Sequence, residues 1–304
     1  MKQKSHLLML LLAALFWGTT FVAQRIGADY VGPFTYLACR SWIAVVFLTP
    51  VVHAMDRFHD KRHSDNRRPR SAADRKLLLL AGAATGVSLC AASAAQQYGM
   101  AFTTASKAGF ITALYVVLVP LISIFFRKRP ALRIWLCVAL SLLGMYLLCL
   151  KREQLKLSVG DAYMLLCALL FAVEIMIVDH FSPLVDGVRL SRLQFLVVGL
   201  ISTVLMLLTE HPTAEELRLA LPAILYAGIF SSGIGYTLQI LGQENVNPSL
   251  ASLAMSLESV FSALSGALVL GERLSPRELL GCALMFASIV LAQIERKPRS
   301  SSNN

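Results

Sequence analysis

An all-α integral membrane protein of ten transmembrane helices, built as two similar five-helix repeats with the second inverted, is the fold this sequence predicts. Three observations predict it. The 304 residues are 56% apolar and only 15% charged, with a mean hydropathy of +0.64, which leaves too little polar surface to cover a soluble globule. Between residues 7 and 294 the apolar residues gather into about ten runs, each near the roughly 20 residues that a helix needs to cross hydrocarbon. The runs repeat after the fifth, and five crossings return the chain to the opposite side, so the second group must sit upside down.

In order, the spans are expected at 7–27, 33–54, 76–97, 101–126, 132–150, 160–181, 190–208, 217–240, 246–270 and 276–294. All are read as helices, because backbone facing lipid must satisfy its own hydrogen bonds, and the runs lack the alternation of barrel strands. The first follows Lys2 and Lys4 like a signal peptide, but its apolar run continues through Trp17 to Ala23 with no small-residue cleavage site, so a retained helix is expected. The second holds Arg40, the sixth Glu174 and the ninth Glu258. Small residues recur in the fourth (Ala105-xxx-Gly109), eighth (Gly228, Gly233, Gly235) and ninth (Ser262-xxx-Gly266), where they permit close packing or bending. Cys39, Cys90, Cys137, Cys149, Cys167 and Cys282 all fall inside spans without a CxxC pair, which reads as packing rather than zinc or disulfides.

The repeat has two registers. An offset of 143 pairs Gln96 with Gln239, Ser106 with Ser249, Tyr115 with Glu258 and Leu121 with Leu264, while near the start of each half an offset of 154 pairs LLAAL at 11–15 with LLCAL at 165–169 and Trp17-Gly18 with Phe171-Ala172. The difference falls in the hydrophilic loop at about 53–75, whose counterpart at 209–216 is much shorter. With both termini cytoplasmic, the inner segments hold nineteen Lys and Arg and the outer ones eight, which favours that orientation. The net charge of +10 sits at span ends and in the loop at 57–76, interspersed with aspartates, so it reads as topogenic and not as a nucleic-acid surface. His59 and His63 there read as solvated.

Several stretches resemble one family. Trp17-Gly18-Thr19, Arg40, "ASKAGFITALYVVLVPLIS" at 105–123, and "PSLASLAMSLESVFSALSGALVLGERLSPRELLGCALMFASIVLAQ" at 248–293 look like the two EamA repeats of the drug/metabolite transporter superfamily. The closing LxLGExLxxxxxxG pattern, from Leu268 to Gly281, is the most specific piece. Residues 7–150 and 160–294 would be the two repeats and 295–304 a cytoplasmic tail. The resemblance implies an inner-membrane carrier that most often exports amino acids, related metabolites or amphiphilic drugs. It implies no ATPase, in keeping with the absence of a GxxxxGK[ST] loop. No cofactor is called for, coupling to a proton or ion gradient is expected, and homodimerisation is left open.

An ionisable group inside a span costs about 2.5–3.5 kcal/mol at the helix centre, so each needs a partner or an aqueous cavity. Arg40 suits a carboxylate or phosphate, with snorkelling to a headgroup as the rival role. Glu174 suits a cationic substrate or a proton, with structural pairing as the rival. Glu258 and its repeat counterpart Tyr115 should approach one midplane cavity from opposite halves. Gln96 and Gln239 are a second symmetric polar pair, equally suited to substrate contact and to interhelical bonding. Trp17, Thr19, Thr20 and Tyr236 stand at comparable depth, where aromatics can stack on an amphiphile or simply pack. Glu272, in the Leu-Gly-Glu turn, reads as a helix-end contact. The expected substrate-binding set is therefore Trp17, Thr20, Arg40, Gln96, Tyr115, Glu174, Tyr236, Gln239 and Glu258.

An intramembrane enzyme would need HExxH, a nucleophile with histidine, or paired aspartates at one depth, and none is present. The expectation is a non-enzymatic secondary carrier of small metabolites or amphiphiles, running in the efflux direction by alternating access. Uptake or exchange of sugars or nucleotide-sugars is the alternative, and a non-transporting membrane protein the remoter one.

Overall fold

The computed structural model describes residues 2–60, 71–102, 105–126, 130–149, 158–270 and 274–293. Among these the chain is helical, with no strand. The first three spans are α1 (Lys2–Ala28), α2 (Pro33–Asp60) and α3 (Ala72–Met100). The fourth is α4 (Ala105–Thr112) with α5 (Tyr115–Phe125), and the fifth is α6 (Leu132–Cys149). α7 (Val159–Phe181) and α8 (Gly187–Thr209) open the second half. The eighth span joins α9 (Ala214–Tyr226), a π-helical stretch (Ala227–Gly235) and α10 (Tyr236–Gln243); the ninth joins α11 (Pro248–Met255) and α12 (Glu258–Leu270); α13 (Pro276–Gln293) is last. The turn at 127–129, the linker at 150–157, the Leu-Gly-Glu turn with Glu272, loop residues 61–70 with His63, and the tail at 295–304 lie outside the described residues.

Several helix starts follow from local sequence. Ser71, Ser158 and Thr213 each accept a backbone N–H three residues on, and Asp74, Asp161 and Glu216 return the bond, which satisfies two otherwise orphaned donors per helix. Large apolar side chains such as Val46, Leu79, Leu136, Leu207 and Val290 cover the outside. Nine helical segments among the described residues are long and apolar enough to cross a membrane. The expected ninth span, 246–270, is not one of them.

Spans four and nine thus depart from the continuous helices expected. Their breaks, between Thr112 and Tyr115 and between Met255 and Glu258, coincide in the 143-residue register. At each the backbone tightens: the Leu114 N–H bonds the Ile111 carbonyl at 3.1 Å and the Leu257 N–H bonds the Ala254 carbonyl at 3.3 Å, closures of three residues instead of four. The eighth span widens instead, within the glycine-rich stretch that pointed to bending.

Packing partners come in exchanged pairs. α1 lies on α12 as α7 lies on α5; α1 meets the π stretch and α10 as α7 meets α3; α2 meets the π stretch as α8 meets α3. The pairs α2–α8 and α6–α13 are their own counterparts. Where α6 and α13 cross, a Cβ on Gly144 would lie 2.7 Å from the Gly281 carbonyl oxygen, and one on Gly281 2.6 Å from that of Gly144. Gly109 is different: among the described residues nothing lies within 4 Å of a Cβ placed there, and its carbonyl accepts from the Ser259 hydroxyl at 3.4 Å.

Helix ends fix relative directions. His6, at the start of α1, bonds the Leu241 carbonyl of α10 at 2.7 Å, and Arg25, near its end, donates to the Met100 carbonyl at the end of α3. That end of α3 abuts Gly160 at the start of α7. α1 therefore finishes at the face where α7 begins.

Gly144→Leu should overpack the α6–α13 crossing and lower stability by about 1–3 kcal/mol, read as a lower thermal midpoint in detergent. Gly109→Ala should leave that midpoint unchanged or slightly raised.

Candidate substrate cavity between the repeats

The helices enclose a cavity near their mid-length. Trp17, Thr20, Phe21 and Gln24 of α1 line it, with Arg40 of α2, Gln96 of α3, Thr112 and Tyr115 flanking the first break, and Phe171, Glu174 and Ile175 of α7. Ser231 of the π stretch, Tyr236 and Gln239 of α10, and Glu258 at the start of α12 complete it. All nine residues expected from the sequence are brought together here. Thr19 is not: its hydroxyl turns back to the Leu15 and Phe16 carbonyls and accepts from the Tyr226 hydroxyl at 2.7 Å.

Local geometry explains the placement. Trp17, Thr20, Phe21 and Gln24 recur every three or four residues and so share one face of α1. Gly18, beside them, faces α12, where a Cβ would lie 2.5 Å from the Glu258 carbonyl oxygen. The Trp-Gly pair therefore splits its work: the indole enters the cavity, and the glycine lets the broken ninth span approach. Gly235 makes room for the indole, since a Cβ there would meet Trp17 Nε1 at 2.9 Å.

The two breaks deliver the central contact. Tyr115 and Glu258 are the first residues of α5 and α12, and the Tyr115 hydroxyl donates to Glu258 Oε1 at 3.1 Å. A carboxylate at a helix start is favoured by the free N–H groups of the first turn. Across the cavity Gln239 Nε2 donates to Glu174 Oε2 at 2.9 Å, while Glu174 Oε1, Gln239 Oε1 and Trp17 Nε1 are buried without a partner among the described residues. Gln24 Nε2 donates to Gln96 Oε1 at 3.2 Å, and Arg40 Nε to Ser232 Oγ at 3.0 Å. Tyr236 sits in the midst, its ring 4.7 Å from that of Trp17 and 5.5 Å from that of Phe195, and within electrostatic reach of Arg40, Glu174 and Glu258.

Arg40, Glu174 and Glu258 are 3%, 0% and 4% exposed, and none makes an ion pair among the described residues. Burying a charge without an opposite one is expensive, so the arrangement fits a site that a charged ligand completes. The cavity has space for roughly two or three waters. Anything larger requires side chains or helices to move.

Among the polar lining residues, Gln24, Thr112 and Ser231 stand outside the expected set. Gln24 was detectable, since it stands one turn beyond Thr20 on the Trp17 face. Thr112 and Ser231 depend on a helix break and a widened turn.

Gln239→Leu removes the hydrogen bond to the buried Glu174 carboxylate. A loss of roughly 1–3 kcal/mol is expected, and thermal unfolding in detergent at neutral pH should show it, whereas Glu174→Gln in the Gln239→Leu background should recover much of the loss.

The EamA-like transporter family matches residues 4–150 and again 158–293. A transporter of Archaeoglobus fulgidus, described as uncharacterized, is 29% identical over 290 residues, covering 94% of this chain and 84% of the relative. The Bacillus subtilis transporter YwfM, likewise described as uncharacterized, is 25% identical over 311 residues, covering 99% and 98%. A solved crystal structure, 18% identical, superposes with a TM-score of 0.75 over 95% of this chain and 96% of that one, which shows a shared fold. With both halves of the chain matched, this multi-pass membrane protein belongs to the EamA-like transporter family.

Proposed function

We propose that the chain is a secondary-active carrier that exports a small charged or zwitterionic metabolite, or an amphiphile, across the cell membrane by alternating access, with the substrate held in the central cavity. One observation carries this reading: two spans break at repeat-equivalent positions, and their exposed helix starts meet through Tyr115 and Glu258 beside the buried Arg40 and Glu174. Broken helices in corresponding positions of two halves are the arrangement by which carriers expose helix ends to a substrate at mid-membrane.

Ten spans in inverted repeats are supported by the exchanged packing pairs and by α1 finishing where α7 begins. Cytoplasmic termini are supported by the excess of lysine and arginine in the corresponding loops. The nine cavity residues named from the sequence are the substrate-binding set, Arg40 facing an anionic group and Glu174 and Glu258 facing cations or a proton. Energy comes from an ion or substrate gradient.

Flux of labelled metabolite pools in proteoliposomes, with an imposed proton gradient, tests the reading. Glu258→Gln should cut flux by roughly tenfold or more and remove its pH dependence while expression stays intact. Flux and pH dependence like those of the native chain in that variant would take Glu258 out of the mechanism.

A further inference from the structure

The seam between α2 and α8 joins the two repeats, and it is fastened at both ends. At one face Arg189, in the first turn of α8, forms an ion pair with Asp56 near the end of α2. At the other face Glu210, just beyond α8, receives the Phe34 N–H at 2.9 Å, the Thr35 N–H at 2.7 Å and the Thr35 hydroxyl at 2.6 Å, all at the start of α2. α2 has no acid in its own first turn, so its start is capped from the opposite repeat.

In the 154-residue register Asp56 corresponds to Glu210 and Thr35 to Arg189. The two fastenings are therefore one contact made twice: the acid at the end of one helix grips the first turn of its repeat partner, once on each face. Between them, Trp42 Nε1 donates to Thr203 Oγ1 at 2.9 Å and its ring covers Gly199. In the other self-paired seam, α6–α13, Gly144 and Gly281 each leave no room for a Cβ beside the other's carbonyl oxygen.

A rotation of one repeat against the other, about a line through these two contacts, leaves both in place. It pulls α2 from α8 at one face and presses them together at the other. We propose that Asp56–Arg189 and Glu210–Thr35 are repeat-equivalent latches, each holding one face of the cavity shut and releasing in turn when the cavity opens to that face. The proposal rests on the alternating-access reading. Both latches are closed here, in keeping with a cavity that admits only a few waters.

The test places Ser231→Cys in the cavity of the full chain, with the six native cysteines replaced by alanine, in membrane vesicles of known orientation. The readout is the labelling rate by a membrane-impermeant maleimide from each face. Asp56→Asn should speed labelling from the face that bears the start of α1, and Glu210→Gln from the opposite face, each by roughly tenfold, the shift expected for losing one charge-assisted hydrogen bond. Exchanging the pair, Asp56→Arg with Arg189→Asp, should restore the slow rate, since each new charge suits its helix end; this separates a lost latch from a misfolded chain. Faster labelling from the same face in both variants, or no change in either, overturns the latches. Side-specific labelling in a chain without flux would instead overturn the carrier reading and leave the latches standing.

Discussion

Water is absent from the middle of a bilayer, so every polar group carried there has to be answered by protein or by a ligand. In this chain the demand concentrates at one depth, where Arg40, Glu174 and Glu258 are buried together. Much of the surrounding structure serves that demand. Gln239 and Tyr115 each give a carboxylate one hydrogen bond, and Ser232 gives the guanidinium one. Each of these is a single bond, and among the described residues Glu174 Oε1 and Trp17 Nε1 are buried without a partner. A bundle under selection for stability alone would place leucine at these positions, because apolar replacement of buried charge is often neutral or stabilising. The shortfall in partners is the physical argument that the cavity exists for something that enters it.

The repeat supplies the scaffold, and departures from it supply the chemistry. Thr20 stands opposite Glu174 in the 154-residue register, Gln194 corresponds to Arg40, and Tyr115 corresponds to Glu258 in the 143-residue register. In each pair one member is charged and the other neutral but polar. A bundle with both members charged would hold two like charges near one axis and repel itself. One ionisable group per pair avoids this, and in two of the three pairs both members line the cavity. Gln96 and Gln239, the pair left identical, divide by partner instead, one bonded to Gln24 and the other to Glu174.

Nine of the ten span positions and the lining of the cavity were legible in the sequence because both rest on counting. Apolar runs measure the bilayer, and polar residues at matched depth in two repeats converge once the halves fold together. The breaks were not legible. Ala113-Leu114 and Ser256-Leu257 contain neither proline nor glycine, so no local breaker marks them; tertiary contacts hold a tightened turn that the residues themselves do not require. Small-residue patterns were ambiguous for a related reason. Gly144 and Gly281 each leave no room for a Cβ beside the other's carbonyl oxygen, whereas among the described residues a Cβ on Gly109 would meet nothing, and only the partner helix distinguishes the two cases.

The widened eighth span shows how a register can shift without disturbing the cavity. A Cβ on Gly86 of α3 would lie 2.9 Å from the Gln194 carbonyl oxygen, and one on Gly228 would lie 3.0 Å from that of Arg40. Since Arg40 and Gln194 correspond, these glycines mark the same point in the two repeats. From there to Gln96 is ten residues, but from Gly228 to Gln239 is eleven. The additional residue falls where the π stretch lies, and a turn closed over five residues instead of four is the way a helix takes up one more without breaking. Below the widened turn Gln239 regains the position that Gln96 holds in α3, facing the cavity. Within it Ser231 lines the cavity and Ser232 accepts from Arg40 Nε. The counterpart helix α3, which packs on the neutral Gln194, carries no such insertion and stays regular. The distortion thus occurs in the repeat that faces the guanidinium, and it is through this distortion that the charge obtains its hydroxyl partner.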